Sequence, residues 1–331
     1  MSLRAPLVDP FGRRLDYVRL SVTDRCDFSC IYCMPEEGID WTDRGDLLSF
    51  EETGTLARVL AQMGVERIRL TGGEPTVRRG IVDLVERVAA AKEFGLRDVA
   101  MTTNGWNLAD IGPALRAAGL DRLNISLDTL DRERFVQITR TDRLADVLKG
   151  IDSVVDMGWL PLKINVVVCD GLNADEVAGF VDHFAHLPVH IRYIEYMAFG
   201  ASRFKLVPWE RTKAEIEAKH TLVAVDGPDG SGPADYWRVE GSQVTVGAIG
   251  ALSRQFCAAC NRIRITADGQ VRNCLAYEPN MVSLRDVLRA GGSDDDLEAA
   301  IRGAVLSKPY SHIQQEDGSN PYEGNMIQIG G

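Results

Sequence analysis

The 331-residue chain has no apolar run approaching the ~20 residues that a membrane-spanning helix requires. Its first residues, Met1 to Leu7, carry no long apolar core and do not read as a secretory signal. It lacks a cationic excess: 37 Lys and Arg stand against 48 Asp and Glu, for a formal net charge of −11. That balance disfavours nonspecific binding to nucleic acid and to anionic membranes, so neither is an expected partner. Histidine is scarce, at five residues, and no nucleophile–histidine–carboxylate arrangement emerges. His183 and His186, at i, i+3, read as residues near a helix C-terminus, where a cation is favoured, rather than as metal ligands. There is no internal repeat beyond a β/α unit and no low-complexity tract. A disulfide framework is also missing. The seven cysteines are an odd number, and six fall into two tight groups. This points to a reducing compartment, such as the cytoplasm, in which thiols bind metal.

The first group is Cys26, Cys30 and Cys33, a C-x3-C-x2-C run directly after the apolar stretch Asp16–Val22. Three thiolates in one loop can hold a cubane iron–sulfur cluster by three corners and leave the fourth open to a substrate or cofactor. A structural zinc site would want a fourth ligand close by, and an electron-carrying cluster a fourth cysteine. Neither follows Cys33. The second group, Cys257, Cys260 and Cys274, again numbers three. A zinc knuckle completed by His312 is its bland reading; a second three-cysteine cluster with an open iron is the sharper one. Cys169 ends an apolar run and reads as core.

Strand-like runs at Tyr17–Val22, Arg67–Leu70, Asp98–Thr102, Arg122–Leu127, Leu162–Val168 and His190–Tyr196 alternate with segments of helical spacing. The helical segments start at the capping box Ser49/Glu52 and continue over Ile81–Phe94, Leu108–Ala118, Leu144–Met157 and Asp175–Phe184. Six β-then-α repeats predict a parallel sheet covered by helices. After about Leu222 the texture changes. A turn-rich stretch at Gly227–Pro233 precedes short antiparallel-looking pieces at Tyr236–Val239 and Gln243–Val246. A hairpin with an Asp268-Gly269 type I′ turn is then predicted between Arg262–Thr266 and Val271–Leu275, and helices over Leu284–Ala290 and Leu297–Val305. The division is therefore placed between residues 1–222 and 223–331.

Thr71-Gly72-Gly73-Glu74-Pro75 directly follows a strand, where glycines permit close backbone approach or positive φ. Thr102–Gly105 and Asn124–Ser126 also fall at strand ends, the ligand-binding face of parallel β/α proteins. Arg19, Arg69, Lys163 and Arg192 each lie inside a predicted strand. Parallel strands are covered on both sides, and an inward charge is costly unless paired. With Arg262 and Arg264 beside the second cysteine group, these cations predict a cavity built for phosphates.

These motifs together resemble a known family. C-x3-C-x2-C with Tyr32 before the last cysteine is similar to the signature of radical S-adenosylmethionine enzymes, and Gly72-Gly73-Glu74-Pro75 to the motif that contacts the methionine part of their cofactor. The stretches from Arg19 and Arg69, the Cys257/Cys260/Cys274 group and the terminal Gly330-Gly331 narrow the resemblance, over nearly the whole chain, to the GTP 3′,8-cyclase family of molybdenum-cofactor biosynthesis. The resemblance implies an α/β fold: an incomplete six-fold (βα) TIM-type barrel with a C-terminal antiparallel β plus helical region over its open side. It implies two [4Fe–4S] clusters, on Cys26/Cys30/Cys33 and Cys257/Cys260/Cys274, the second open iron meeting the guanine ring. It implies S-adenosylmethionine contacted by Tyr32, Gly73, Ser126 and Met197, and GTP held by Arg19, Arg69, Thr102, Lys163, Arg192, Arg262, Ile263 and Arg264.

A catalytic part is implied for Arg262, Arg264, Gly330 and Gly331, the Gly-Gly tail entering the site from an untied segment. The implied reaction uses a 5′-deoxyadenosyl radical to take the ribose 3′-hydrogen of GTP. The resulting carbon radical closes on C8 to give (8S)-3′,8-cyclo-7,8-dihydroguanosine 5′-triphosphate. The implied partners are an electron donor of flavodoxin or ferredoxin type, a cyclic pyranopterin monophosphate synthase that receives the product, and a second copy in a homodimer. The alternatives are another radical S-adenosylmethionine enzyme with an auxiliary cluster, of peptide-modifying type, and, more remotely, a non-enzymatic protein with two structural zinc sites.

Overall fold

The computed structural model describes residues 4–35, 37–197, 204–228, 232–275, 281–311 and 326–328. Alternating β-branched runs and amphipathic segments fold as β/α units, because each strand must bury an apolar face that only a helix can cover. The order is β1 (Tyr17–Ser21), α1 (Phe50–Gln62), β2 (Arg67–Thr71), α2 (Ile81–Ala89), β3 (Asp98–Thr103), α3 (Leu108–Ala117), β4 (Arg122–Ser126), α4 (Arg132–Thr139), α5 (Leu144–Asp156), β5 (Leu162–Val168), α6 (Val177–Phe184) and β6 (Val189–Glu195). There follow α7 (Trp209–Glu217), β7 (Leu222–Val225), β8 (Asp235–Val239), β9 (Thr245–Ile249), β10 (Arg262–Ile265), β11 (Gln270–Arg272), β12 (Val282–Ser283), α8 (Leu284–Arg289) and α9 (Asp294–Val305). Ser49 caps α1: its hydroxyl accepts the Glu52 N–H, and the Glu52 carboxylate accepts the Ser49 N–H at 2.7 Å.

The twelve strands of the described residues form one sheet in the order β12-β11-β10-β1-β2-β3-β4-β5-β6-β9-β8-β7. Strands β1 to β6 run parallel and make an incomplete (βα) barrel of TIM type. The C-terminal strands extend it at both edges: β9 lies parallel to β6, and β10 parallel to β1. Antiparallel partners β8 and β11 then carry the sheet outward.

The register separates two faces, since side chains alternate along each strand. Val18 and Leu20, Ile68 and Leu70, Val99 and Met101, Leu123 and Ile125, and Ile164 and Val166 are buried in the helix-covered core. The opposite face is polar. The pairs Arg19↔Arg69, Arg19↔Arg264, Thr102↔Asn124, Asn124↔Lys163 and Asn165↔Arg192 align on it. A barrel interior lined by cations and amides, behind an apolar outer layer, is a binding chamber rather than a packed core.

Several expectations are corrected. The polar α4 and α7 and the strand β7 were not foreseen; in α4, Arg132-Glu133-Arg134 masks a narrow apolar stripe of Phe135 and Ile138. The Ile81–Phe94 helix gives way to a 3-10 turn after Ala89. The hairpin between β10 and β11 is not type I′. Of its two central residues only Gly269 has positive φ, +83°. The bonds Gly269 N–H to Thr266 carbonyl and Thr266 N–H to Gln270 carbonyl make a longer turn with one left-handed residue. The C-terminal pieces are also not antiparallel throughout, because β9 and β10 each join the parallel barrel. Cys169 is fully buried, as read, beside Ile138, Leu172 and Tyr196. His183 falls in the last turn of α6 against Phe184.

Candidate active site

The loop after β1 is seated by main-chain bonds from two sides. Ser29 N–H donates to the Thr139 carbonyl at 3.0 Å and Ile31 N–H to the Ile138 carbonyl at 2.9 Å, so the loop leans on the end of α4. From β2, Gly73 N–H donates to the Thr23 carbonyl and Glu74 N–H to the Arg25 carbonyl, at 2.9 and 2.8 Å. That crossing leaves no room for side chains. A Cβ on Gly72 would stand 2.2 Å from the Thr23 oxygen, and one on Gly73 2.3 Å from the Arg25 oxygen. The glycine pair therefore seats the cysteine loop as well as bordering the cavity. Glu74 is buried and accepts from the Thr76 N–H, the Thr76 and Thr103 hydroxyls and the Asn104 N–H. Burial raises its carboxyl to about 7 in spite of those bonds.

Cys26, Cys30 and Cys33 border a cavity of about 290 Å³ at the C-terminal ends of the barrel strands. Tyr32, Gly73, Thr102, Ser126, Met197 and Arg19 line the same cavity. The Tyr32 hydroxyl donates to the Asp128 carboxylate, whose other oxygen accepts the Val167 N–H at 2.8 Å. Burial lifts the Asp128 carboxyl to about 6. Burial also pushes all three thiols up, and Glu74, Asp128 and the neighbouring thiols add to the push.

Among the described residues no three Cys, His, Asp or Glu side chains are gathered as ligands of a single metal ion. The donor set fits an iron–sulfur cluster: three soft thiols around one cavity. Their elevated ionisation is reversed once a metal coordinates them.

Below these thiols the inner face is crowded with cations. Tyr17 lies between Arg69 and Arg262, whose guanidinium carbons are 5.6 and 6.0 Å from its ring centroid. Burial raises the Tyr17 phenol, but Arg69, Arg19, Arg262 and Arg192 together bring it below its ordinary value. Burial lowers Arg19, and brings Arg192 and Arg264 down to about 10. Lys163 falls to about 6 through burial and through Arg192, Arg122 and Arg69. Arg192 donates to the Asn165 carbonyl oxygen at 2.9 Å, and Arg122 pairs with Asp98 at the floor. Buried polar atoms on this face without a partner among the described residues include Arg69 Nε, Thr71 Oγ1, Thr102 Oγ1, Asn124 Nδ2 and Arg262 Nε. Each such orphan costs about 1–3 kcal/mol if left unmet, so the chamber is built to receive a polar ligand. Ile263 faces the other way. It pairs with Val18 and sits in the apolar core, so only its main chain can reach a ligand.

The second triplet flanks β10. Cys257 opens a 3-10 turn, Cys260 precedes the strand and Cys274 follows β11. Arg13 donates to the carbonyls of Cys257, Tyr310 and Pro309 at 2.6, 2.7 and 2.8 Å. Glu195 at the end of β6 accepts the N–H groups of Trp209, Leu252 and Ser253, which fixes the approach to Cys257. Burial pushes Cys260 up, but Lys308, Arg262 and Arg13 bring it below its ordinary value. A thiol in so cationic a setting suits metal ligation.

Cys274 packs with Met197, Leu275 and Met326, and the last three all border the cavity. Gln328 holds this end of the chain by donating to the Asp40 carbonyl at 2.9 Å. Gly330, Gly331 and His312 lie outside the described residues. Sequence reasoning missed Tyr17, Asp128, Glu195, Arg13 and Lys308, which are isolated residues without motif spacing.

Comparison with known proteins bears on this arrangement. The Radical SAM superfamily matches residues 20–184, and Molybdenum Cofactor Synthesis C matches residues 189–314. A GTP 3′,8-cyclase of Heliobacterium modesticaldum is 45% identical over 98% of this chain and 100% of that protein. The chain belongs to the GTP 3′,8-cyclase family. A second member, from Pelotomaculum thermopropionicum, is 42% identical over 98% of this chain and 99% of its own. The mouse protein named molybdenum cofactor biosynthesis protein 1 is 41% identical over 98% of this chain and 51% of that protein. Among solved structures, Streptococcus suis SuiB bound to S-adenosylmethionine shares the fold, with a TM-score of 0.58 at 16% identity over 87% of this chain and 67% of that one. Membership in a radical SAM cyclase family makes the chain an enzyme that works with a [4Fe–4S] cluster and S-adenosylmethionine. Among the described residues no helix is long and apolar enough to cross a membrane.

Proposed function

We propose that this member of the cyclase family converts GTP to (8S)-3′,8-cyclo-7,8-dihydroguanosine 5′-triphosphate, the first step of molybdenum-cofactor biosynthesis. The observation that carries the reading is the row of orphaned buried donors and cations on the inner barrel face, beside the thiol-lined cavity. Cys26, Cys30 and Cys33 hold the first [4Fe–4S] cluster, and Cys257, Cys260 and Cys274 hold a second. When bound, the first cluster and S-adenosylmethionine supply a one-electron reductive cleavage that the protein itself cannot perform. Tyr32, Gly73, Ser126 and Met197 orient the S-adenosylmethionine. Arg69 and Arg262, with Arg19, Lys163, Arg192, Arg264 and Thr102, confine the triphosphate and fix the ribose. Met197, Leu275, Met326 and Ile327 provide an apolar mouth that limits water.

The terminal Gly330 and Gly331 act inside the site with Arg262 and Arg264. No acid–base residue dominates, in keeping with the scarcity of histidine. The same proposal takes residues 1–222 as the radical-generating part and 223–331 as the auxiliary part. It includes a flavodoxin- or ferredoxin-type electron donor, a cyclic pyranopterin monophosphate synthase downstream, a homodimer and a cytoplasmic setting.

Anaerobic purification and iron assay should return about eight irons per chain, four for each cluster. The reduced protein with S-adenosylmethionine should form 5′-deoxyadenosine in proportion to added GTP, together with a cyclised nucleotide. Formation of 5′-deoxyadenosine at an equal rate without GTP would remove the substrate assignment. Two zinc ions and no visible colour would remove the cluster assignment.

A further inference from the structure

Lys308 lies just past α9 and is 4% exposed. Its ammonium donates to the Arg262 carbonyl at 2.8 Å and to the Asn273 carbonyl at 2.6 Å. Those carbonyls belong to the two segments that carry the C-terminal cysteines: Arg262 stands two residues past Cys260, and Asn273 directly precedes Cys274. The Asn273 amide in turn donates to the Ala304 carbonyl at 2.7 Å and to the Ser307 hydroxyl at 3.0 Å, so the end of α9 grips the same place twice. Arg13 completes the fastening by joining the Cys257 carbonyl to those of Pro309 and Tyr310. The titratable groups that act on Lys308 are Cys260, Cys274, Arg13 and Asp9. Asp9 is already committed to Arg13 at 2.5 Å. A buried ammonium without an anion is costly, and carbonyl oxygens satisfy its protons without neutralising its charge. That leaves the Cys260 and Cys274 sulfurs, which carry negative charge once a metal binds them.

We propose that Lys308 is a positioning residue and fixed counter-cation of the Cys257/Cys260/Cys274 site. It ties the two cysteine segments together before metal arrives and offsets the negative charge of the thiolate-bound cluster afterwards. The proposal rests on the reading of this triplet as a cluster site. Because the reduced cluster carries one more negative charge than the oxidised one, the ammonium favours reduction.

The test uses the full chain with Cys26, Cys30 and Cys33 replaced by alanine, so that bound iron reports the second site alone. In that background Lys308 is compared with Lys308→Arg and Lys308→Met after anaerobic reconstitution and an EPR-monitored redox titration. The Lys308→Met chain should show the reduced-to-oxidised ratio at a set potential falling by about tenfold, a midpoint lower by about 59 mV for one electron. Lys308→Arg should recover most of that shift. In the metal-free chains, alkylation of Cys260 and Cys274 is followed by mass spectrometry across pH, and the limiting high-pH rate, which is free of the change in thiol ionisation, should be about tenfold faster for Lys308→Met, since a broken tie exposes the thiols to local opening. A Lys308→Met chain with unchanged midpoint and unchanged alkylation overturns the proposal. If Lys308→Met takes up no iron, the alkylation rates alone decide between the same two outcomes. A parent chain that binds no iron at all overturns the cluster reading instead.

Discussion

The two cysteine triplets present the same number of thiols in opposite electrostatic settings. The first is bordered by buried carboxylates, Glu74 and Asp128, which are themselves raised by burial, and its thiols are all pushed up. The second is bordered by Arg13, Arg262 and Lys308, and Cys260 is drawn down. Their mechanical supports differ as well. The first loop is held by strand-end main chain crossing at Gly72 and Gly73 and by the carbonyls that end α4. The second is held by long cationic side chains reaching carbonyls across the fold. An anionic cofactor complex at the second site meets compensating charge, whereas the first site relies on its metal to ionise its ligands. Under the proposed function, this difference accompanies a division between electron-driven cleavage at the first triplet and substrate holding at the second.

The largest expected effect comes from separating the two triplets chemically. Cys30→Ala should reduce 5′-deoxyadenosine formation to background. Cys260→Ala should retain measurable 5′-deoxyadenosine while losing cyclised nucleotide. Quantifying both products by chromatography tests the division, and identical losses in the two variants would erase it.

Next in size is the support of the first loop. Gly73→Ala forces a Cβ to within 2.3 Å of the Arg25 carbonyl oxygen. The cost should reach the upper end of overpacking, about 3 kcal/mol. Iron should be lost from the first site, as read by iron content in a Gly73→Ala chain that also lacks the second triplet. Normal iron there would show that the loop tolerates displacement.

A smaller effect concerns the cation chamber between the triplets. Lys163 ionises near 6 in the empty chain against an ordinary 10.5, so at pH 8 it is neutral. A bound triphosphate restores its charge, and binding therefore takes up a proton. GTP affinity should weaken as pH rises above 6, by at most about tenfold per pH unit. For folding the sign is opposite. Between pH 6 and 10.5 the unfolded chain binds the extra proton, so Lys163 contributes stability that rises with pH. Calorimetry in buffers of different ionisation enthalpy should show proton uptake at pH 8 that Lys163→Arg abolishes. An unchanged uptake in that variant would place the proton elsewhere.

The smallest effect is a control remote from both sites. A Cβ on Gly179, inside α6, meets nothing within 4 Å. Gly179→Ala should stabilise the chain by about 0.5–1 kcal/mol, seen as a modest rise in Tm with both product yields unchanged. A fall in Tm would show that this helix face is less open than its surroundings indicate.

Much of the candidate site was legible because its signals are local. Cysteine spacing sets which thiols can share one loop, and Ser49 with Glu52 announces a helix start within four residues. Alternation along a strand put Arg19, Arg69, Lys163 and Arg192 on one face once the strands were recognised. The same alternation places the Ile263 side chain on the other face, which leaves its main chain to face the chamber. Asp128, Tyr17, Arg13 and Lys308 escaped because each acts on a partner far along the chain. Lys308 meets Arg262 across 46 positions, and Arg13 meets Cys257 across 244. A polar helix such as α4 escaped because its apolar stripe is only two residues wide.

By itself the sequence determined the β/α alternation, the two triplets and the count of inward cations, because these depend on spacing within a few residues. Tertiary structure decided that β9 and β10 extend opposite edges of one sheet. It also decided that Cys274 packs with Met197 and Met326, which border the cavity, and that opposite charges surround the two sets of thiols. Those outcomes depend on strand pairing and burial between distant segments. The same three cysteines become a different electrostatic site according to which side chains the fold carries to them.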